Sequence, residues 1–129
     1  MNKILVEVSV GELLDKISIL EIKKEKIKDI KKLKFINDEY NVLKEQLDKN
    51  VKSNEKLEKL FQSLKEINAR LWVIEDDKRM CEKNSDFGDK FIKLSRDVHF
   101  LNDNRAKIKL EINHQTGSKI KEIKKYTTY

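Results

Sequence analysis

The 129 residues carry 29 Lys and Arg against 23 Asp and Glu, a net charge of +6, with three glycines, no proline, one cysteine and one tryptophan; that length argues for one domain, residues 1–129. Charged residues at 40% and AVILMFWYC residues at 38% are too apolar for a disordered polyelectrolyte and too polar for a thick core, so thin, elongated helix packing is expected. With no run of 18 apolar residues and no signal-peptide pattern in MNKILVEVSV, a cytosolic (cytoplasmic) location without a membrane partner is expected, and the single Cys81 and two histidines leave no internal disulfide and no zinc site.

Ile4, Val6 and Val8 alternate with Leu5 and Glu7, which predicts a short strand within residues 1–8. Ser9 with Glu12 three residues on forms a capping box, and Leu13, Ile17, Leu20 and Ile27 recur at helical spacing with Lys24 in the vacant slot. Helix 1 is predicted over 10–28. Asp29 is the predicted cap of helix 2, residues 30–49, where Leu33, Ile36, Tyr40, Leu43 and Leu47 repeat at heptad spacing. A polar loop, 48–54, follows, and then Leu57, Leu60, Leu64, Ile67, Leu71 and Ile74 hold their phase to a helix end near Glu82. Asp86 is the predicted cap of helix 4, whose stripe is Phe91, Leu94, Val98, Leu101, Arg105, Ile108 and Ile112, closed near His114 with Gly117 as the stop. A basic tail, 118–129, carries Ile120, Ile123, Tyr126 and Tyr129 three apart.

Gly11, Gly88 and Gly117 all fall at predicted helix ends, so the helices run long without interruption. Two helices of nearly 30 residues, each about 45 Å long and joined by a short turn, form an antiparallel hairpin. The expected fold is an all-α, elongated antiparallel bundle of about four helices, two of them long. Its coiled-coil-like stripes are only partly covered within one copy, so a homo-oligomer, a dimer, is expected.

Two segments, 23–34 and 105–129, each sum to +5 and hold the basic excess. Only four of the basic residues are arginines, Arg70, Arg79, Arg96 and Arg105, whereas nucleic-acid readers lean on arginine forks and aromatic stacking. Specific nucleic-acid binding is therefore not expected, although nonspecific binding through the lysine-rich segments is a second alternative function.

Chemistry has few places to reside. Glu111-x-x-His114 is half of a di-iron motif, but His99 is preceded three residues back by Arg96, so the other half is missing and no metal or cofactor is expected. No Gly-rich phosphate loop or nucleophile–base set is present. The small chorismate mutases share the size, the helicity and an Asp76-x-x-Arg79 step, yet the arginine they carry early in their first helix has no counterpart between residues 10 and 30. The densest feature is Leu71-Trp72-Val73-Ile74-Glu75-Asp76-Asp77-Lys78-Arg79, in which Glu75 and Asp76 can pair with Arg79 along one helical face. Arg105 occupies a stripe position among apolar neighbours and so requires a carboxylate or an anionic ligand, with Glu75 as the candidate partner. Arg105, Lys109 and Asn113 step by four into a polar row.

Four stretches resemble a family of short uncharacterised bacterial and phage proteins, a domain of unknown function sometimes found beside sugar-transfer proteins. They are Val8–Lys23; Leu71-Trp72-Val73-Ile74-Glu75-Asp76 with Arg79; Asn102-Asp103-Asn104-Arg105 with Lys109, Ile112 and Asn113; and Lys125-Tyr126 with Tyr129. The resemblance spans almost the whole chain and implies a stand-alone module without naming a reaction. It directs attention to Asp15, Lys16, Glu21, Glu75, Asp76, Arg79, Asn102, Arg105, Lys109 and Asn113, and to a polar cluster between helices 1, 3 and 4.

The expected function is a non-catalytic binding or scaffold module with a polar Glu/Arg cluster between helices, taking a protein or an anionic small molecule through Lys16, Glu75, Asp76, Arg79, Arg105, Lys109 and Asn113. The alternative is a small enzyme acting on a phosphorylated, sugar-linked or carboxylated metabolite, with Arg79, Arg105 and Lys109 as the anion clamp and Glu75 or Asp76 as base.

Overall fold

The structure, a computed structural model, describes residues 3–120 and 122–128. It is all helical: α1 (Val10–Lys26), α2 (Ile30–Asn50), α3 (Glu55–Lys83) and α4 (Asp89–Thr116). Residues 3–8 form no strand and Ile4, Leu5 and Val6 stand in solvent; a strand needs a neighbouring strand to pair with, and among the described residues there is none. Tyr129, on which part of the tail pattern rested, lies outside the described residues.

The caps explain the boundaries. Ser9 Oγ accepts from the Glu12 amide, and the Asp29 carboxylate accepts from the amides of Lys31 and Lys32 at 2.9 and 3.1 Å, so α1 stops two residues short of its predicted end to leave a link into that second cap. Asn54 caps α3 through the Leu57 amide. Asp86 does not cap α4: its carboxylate accepts from the Gly88 amide inside the turn, and Gly88 itself is the N-cap, without a side-chain bond. Gly117 closes α4 at φ +64°, the left-handed conformation that favours glycine, with the Ser118 amide donating back to the Asn113 carbonyl.

Helices α3 and α4 form the predicted antiparallel hairpin, and α1 lies against both of them and against α2. This central position buries α1 on several faces: Leu14, Asp15, Ile17, Ser18, Leu20 and Ile22 are all inside. By contrast α2 packs only on α1 and buries a single residue, Ile36. Lys24, the non-apolar member of the α1 stripe, places its ammonium 4.1 Å from the centre of the Tyr40 ring, so the slot is filled by a cation–π contact. The main core joins Leu14, Leu57, Leu64 and Ile112, with Val10, Leu47, Val51, Leu60, Phe61 and Ile108 around them. Truncating the fully buried Leu64 to alanine should cost about 2–5 kcal/mol. From Glu82 to Phe100 no residue is buried, so the far half of the α3–α4 hairpin is a two-helix arm.

Candidate functional site

A polar seam runs between α1, α3 and α4, and Asp15 is its centre. The carboxylate is 1% exposed. Arg105, from α4, grips it with both prongs: Nε donates to Oδ1 at 2.9 Å and Nη2 to Oδ2. Asn68, from α3, donates to Oδ1 at 2.8 Å and shares the same amide nitrogen with Ser18 Oγ, also at 2.8 Å. The Ser18 hydroxyl in turn donates to the Asp15 carbonyl. Lys109 lies one turn along α4, its ammonium 3.8 Å from Asp15 Oδ2, 2.7 Å from Glu12 and 3.3 Å from Glu122 of the tail. A further turn on, Asn113 Oδ1 accepts from the Gly11 amide at 2.7 Å.

The electrostatics follow from this geometry. Burial pushes the Asp15 carboxyl up, but the hydrogen bonds from Arg105 and Asn68 and the charges of Arg105 and Lys109 outweigh it and hold the group below its ordinary value. Burial lowers the Lys109 ammonium, and the Glu12 bond with the Asp15, Glu12 and Glu122 charges overrides that and raises it. Among the described residues, no buried side-chain nitrogen or oxygen lacks a partner. Arg105 is already held by Asp15, and Lys109 by Glu12, Asp15 and Glu122, so the seam is a filled ion-pair network and not a vacant clamp.

Gly11 explains how the helices come this close. A Cβ there would stand 2.5 Å from the Lys109 carbonyl oxygen and 2.9 Å from Asn113 Oδ1, so α1 and α4 touch at a point that admits only glycine. Its place near a helix end is thus a matter of space and not of a left-handed backbone.

The predicted site residues divide into three groups. Arg105, Lys109 and Asn113 enter the seam, together with Asp15. Glu75, Asp76 and Arg79 are exposed and line a groove of about 440 Å³ among α1, α3 and α4, floored by Ile19, Ile22, Leu71 and Trp72 and bordered by Asn102 and by the seam residues Asn68 and Arg105. Among the described residues none of the three comes within ion-pair distance of an opposite charge, so neither the expected pairing of Glu75 or Asp76 with Arg79 nor that of Glu75 with Arg105 forms. Asp15 is closer to Arg105 and takes its guanidinium. Lys16 points to solvent, 4.0 Å from Glu12. Lys109 faces Glu12 and Glu122 and does not line the groove that Arg79 and Arg105 share, so the three do not converge as a clamp.

A comparison with protein families adds one fact. The chain belongs to a family of unknown function, DUF6165, which matches residues 4–129. No curated protein and no solved structure matches the chain.

Within this DUF6165 chain, five seam residues escaped the sequence reading as site members: Gly11, Glu12, Ser18, Asn68 and Glu122. Asn68 carried a signal, since asparagine is a poor residue inside a 29-residue helix unless its amide has work there. Glu12 was assigned to a capping box, and its carboxylate instead bonds Lys109 across the interface.

Proposed function

We propose that this chain is a non-catalytic helical binding module, in which the seam sets the packing of α1, α3 and α4 and the groove around Trp72 is the recognition surface. One observation carries the reading: the only buried carboxylate, among the described residues, has both oxygens occupied by Arg105 and Asn68, and the two more exposed seam carboxylates, Glu12 and Glu122, are each held by Lys109. The groove offers what protein interfaces use, a half-buried tryptophan and an arginine over an apolar floor, with unpaired acids at the rim. The resemblance adds a bacterial or phage setting beside sugar-transfer proteins, and proteins of that setting are the partners to offer the groove first.

A second copy is a further proposed partner, at the two-helix arm, where Met80 at its base and Phe87 and Ile92 within it are about half exposed. Light scattering should give a dimer mass for the wild type and a monomer mass for Met80→Glu.

The test is a thermal-shift screen of wild type and Arg79→Ala against nucleotides, sugar phosphates and dicarboxylates. A ligand at 100 times its dissociation constant adds about 2.7 kcal/mol, a shift of about 10 °C for a domain of this length. The expected result is no shift. A shift present in the wild type and lost in Arg79→Ala would overturn the reading in favour of an enzyme or small-anion site.

A further inference from the structure

Residues 23–34, Lys-Lys-Glu-Lys-Ile-Lys-Asp-Ile-Lys-Lys-Leu-Lys, form the corner where α1 ends and α2 begins. Both acids of the segment are occupied. Glu25 holds Lys65 at 2.9 Å, and Asp29 caps α2. Among the described residues none of the corner's lysines, Lys23, Lys24, Lys26, Lys28, Lys31, Lys32 and Lys34, lies within ion-pair distance of a carboxylate.

Two further features set this corner apart from an ordinary solvated surface. The first turn of α2 has no acidic residue and carries Lys31 and Lys32, which oppose the positive end of the helix dipole. Two large apolar side chains also stand in solvent inside the lysine cluster, Ile30 at 84% exposure and Phe35 at 75%. Lys31 and Lys32 precede Phe35 by four and three residues, so they share its helical face, and Ile30 opens the helix at the tip with Lys34 one turn on. A surface built for solubility alone would place polar residues at 30 and 35; the acids on the Phe35 face, Asp38 and Glu39, lie one turn further along α2, beyond the lysine cluster.

Lysines and apolar side chains on one corner call for a partner that is anionic outside and apolar just beneath. A nucleic-acid backbone would engage the lysines and leave Ile30 and Phe35 in water. We propose that the α1–α2 corner docks this chain on an anionic lipid bilayer, with the lysines at the headgroup phosphates and Ile30 and Phe35 dipping into the interface. The attachment is peripheral, since among the described residues no helix is long and apolar enough to cross a membrane. The sequence-based expectation of no membrane partner rested on that same absence of a spanning segment, which does not bear on surface docking.

Co-sedimentation of the full chain with phosphatidylcholine vesicles, with and without phosphatidylglycerol, tests this at low and high salt. Wild type should pellet with the anionic vesicles and bind neutral ones at least tenfold more weakly. Each of the exposed lysines Lys26, Lys28, Lys31, Lys32 and Lys34 changed to glutamine should weaken binding roughly fivefold. The decisive variant is Ile30→Ser with Phe35→Ser, which keeps every lysine and, because both side chains are exposed, keeps the fold; circular dichroism checks that. It should lose at least tenfold in vesicle binding, most visibly at high salt, where the lysines are screened. No pelleting of wild type, equal pelleting with both vesicle types, unchanged binding of the double serine variant, or binding to duplex DNA without binding to vesicles would each overturn the proposal.

Discussion

Removing Arg105 is the sharpest probe of the seam. In Arg105→Ala the Asp15 carboxylate, 1% exposed in the wild type, keeps the Asn68 amide and the Lys109 ammonium at 3.8 Å but loses both guanidinium bonds and the cover they give. Breaking a buried pair from one side costs about 3–5 kcal/mol. The Arg105 side chain is 27% exposed, which screens part of the interaction, so we expect about 2–4 kcal/mol. With an unfolding entropy of about 2.1 cal/mol/K per residue over 129 residues, that lowers Tm by about 7–15 °C. The pH dependence checks the mechanism. In the wild type the depressed Asp15 value contributes stability above pH 3.8, the group's ordinary value, that is lost as pH falls through the folded value. Without Arg105, Asp15 loses its hydrogen bond and charge interaction with the guanidinium, so its folded value is less depressed and less stability is lost on acidification. The stability gap between wild type and variant should therefore narrow as pH falls through and below 3.8 in urea melts. A gap below about 1 kcal/mol, or one that does not change with pH, would refute a charged and buried Asp15.

Three further outcomes follow from the same geometry. Gly11→Ala drives a Cβ against the Lys109 carbonyl, a backbone atom that cannot rotate away, and opens the Gly11–Asn113 bond; even after the gain in helix propensity it should cost about 2 kcal/mol, or about 7 °C in Tm, read by calorimetry. Asp15→Asn should flatten the acid limb of the stability curve, because the proton taken up on unfolding of the wild type below pH 3.8 is missing; parallel limbs in urea melts would count against it. Glu122→Gln should change stability by about 0.5 kcal/mol or less, since that side chain is 48% exposed and Lys109 retains Glu12 and Asp15; a loss above about 1 kcal/mol would show the tail to be a structural clamp.

The helices were legible because periodicity and capping are local. Ser9, Asp29 and Gly117 act where the sequence places them, and the stripes of α2, α3 and α4 are the faces that pack. The breadth of burial on α1 was not legible, because a helix touched from three sides has no single stripe; Leu14, Ser18 and Ile22 are inside although they stand off the line of Leu13, Ile17 and Leu20. Arg105 was legible as a misfit among apolar neighbours. Its partner was not, since Glu75 and Asp15 are equally good carboxylates until the register between helices is known, and that register comes from contacts distant in sequence. Asp15 did stand out in one respect: it interrupts an apolar run, Leu13-Leu14 before it and Ile17 to Leu20 after it, with Ser18 as the only other polar residue on the buried side.

The three α4 residues spaced by four, Arg105, Lys109 and Asn113, meet Asp15, Glu12 and Gly11 in descending order along α1. Each rung demands different chemistry: a guanidinium fork on a carboxylate, an ammonium on a carboxylate, and an amide oxygen on a backbone N–H. An apolar helix packed on three sides could slide by a turn at little hydrophobic cost, because leucine and isoleucine fit many neighbours. The rungs forbid it. A one-turn slip that carries Lys109 onto Asp15 carries Arg105 onto Ile19, where its charge has no carboxylate, and sets the Lys109 carbonyl against a Cβ in place of the bare Gly11. Polar register marks of this kind contribute less to stability than to uniqueness of packing. They hold α1 fixed, and that in turn fixes where the α1–α2 corner, the Trp72 groove and the two-helix arm present their exposed side chains.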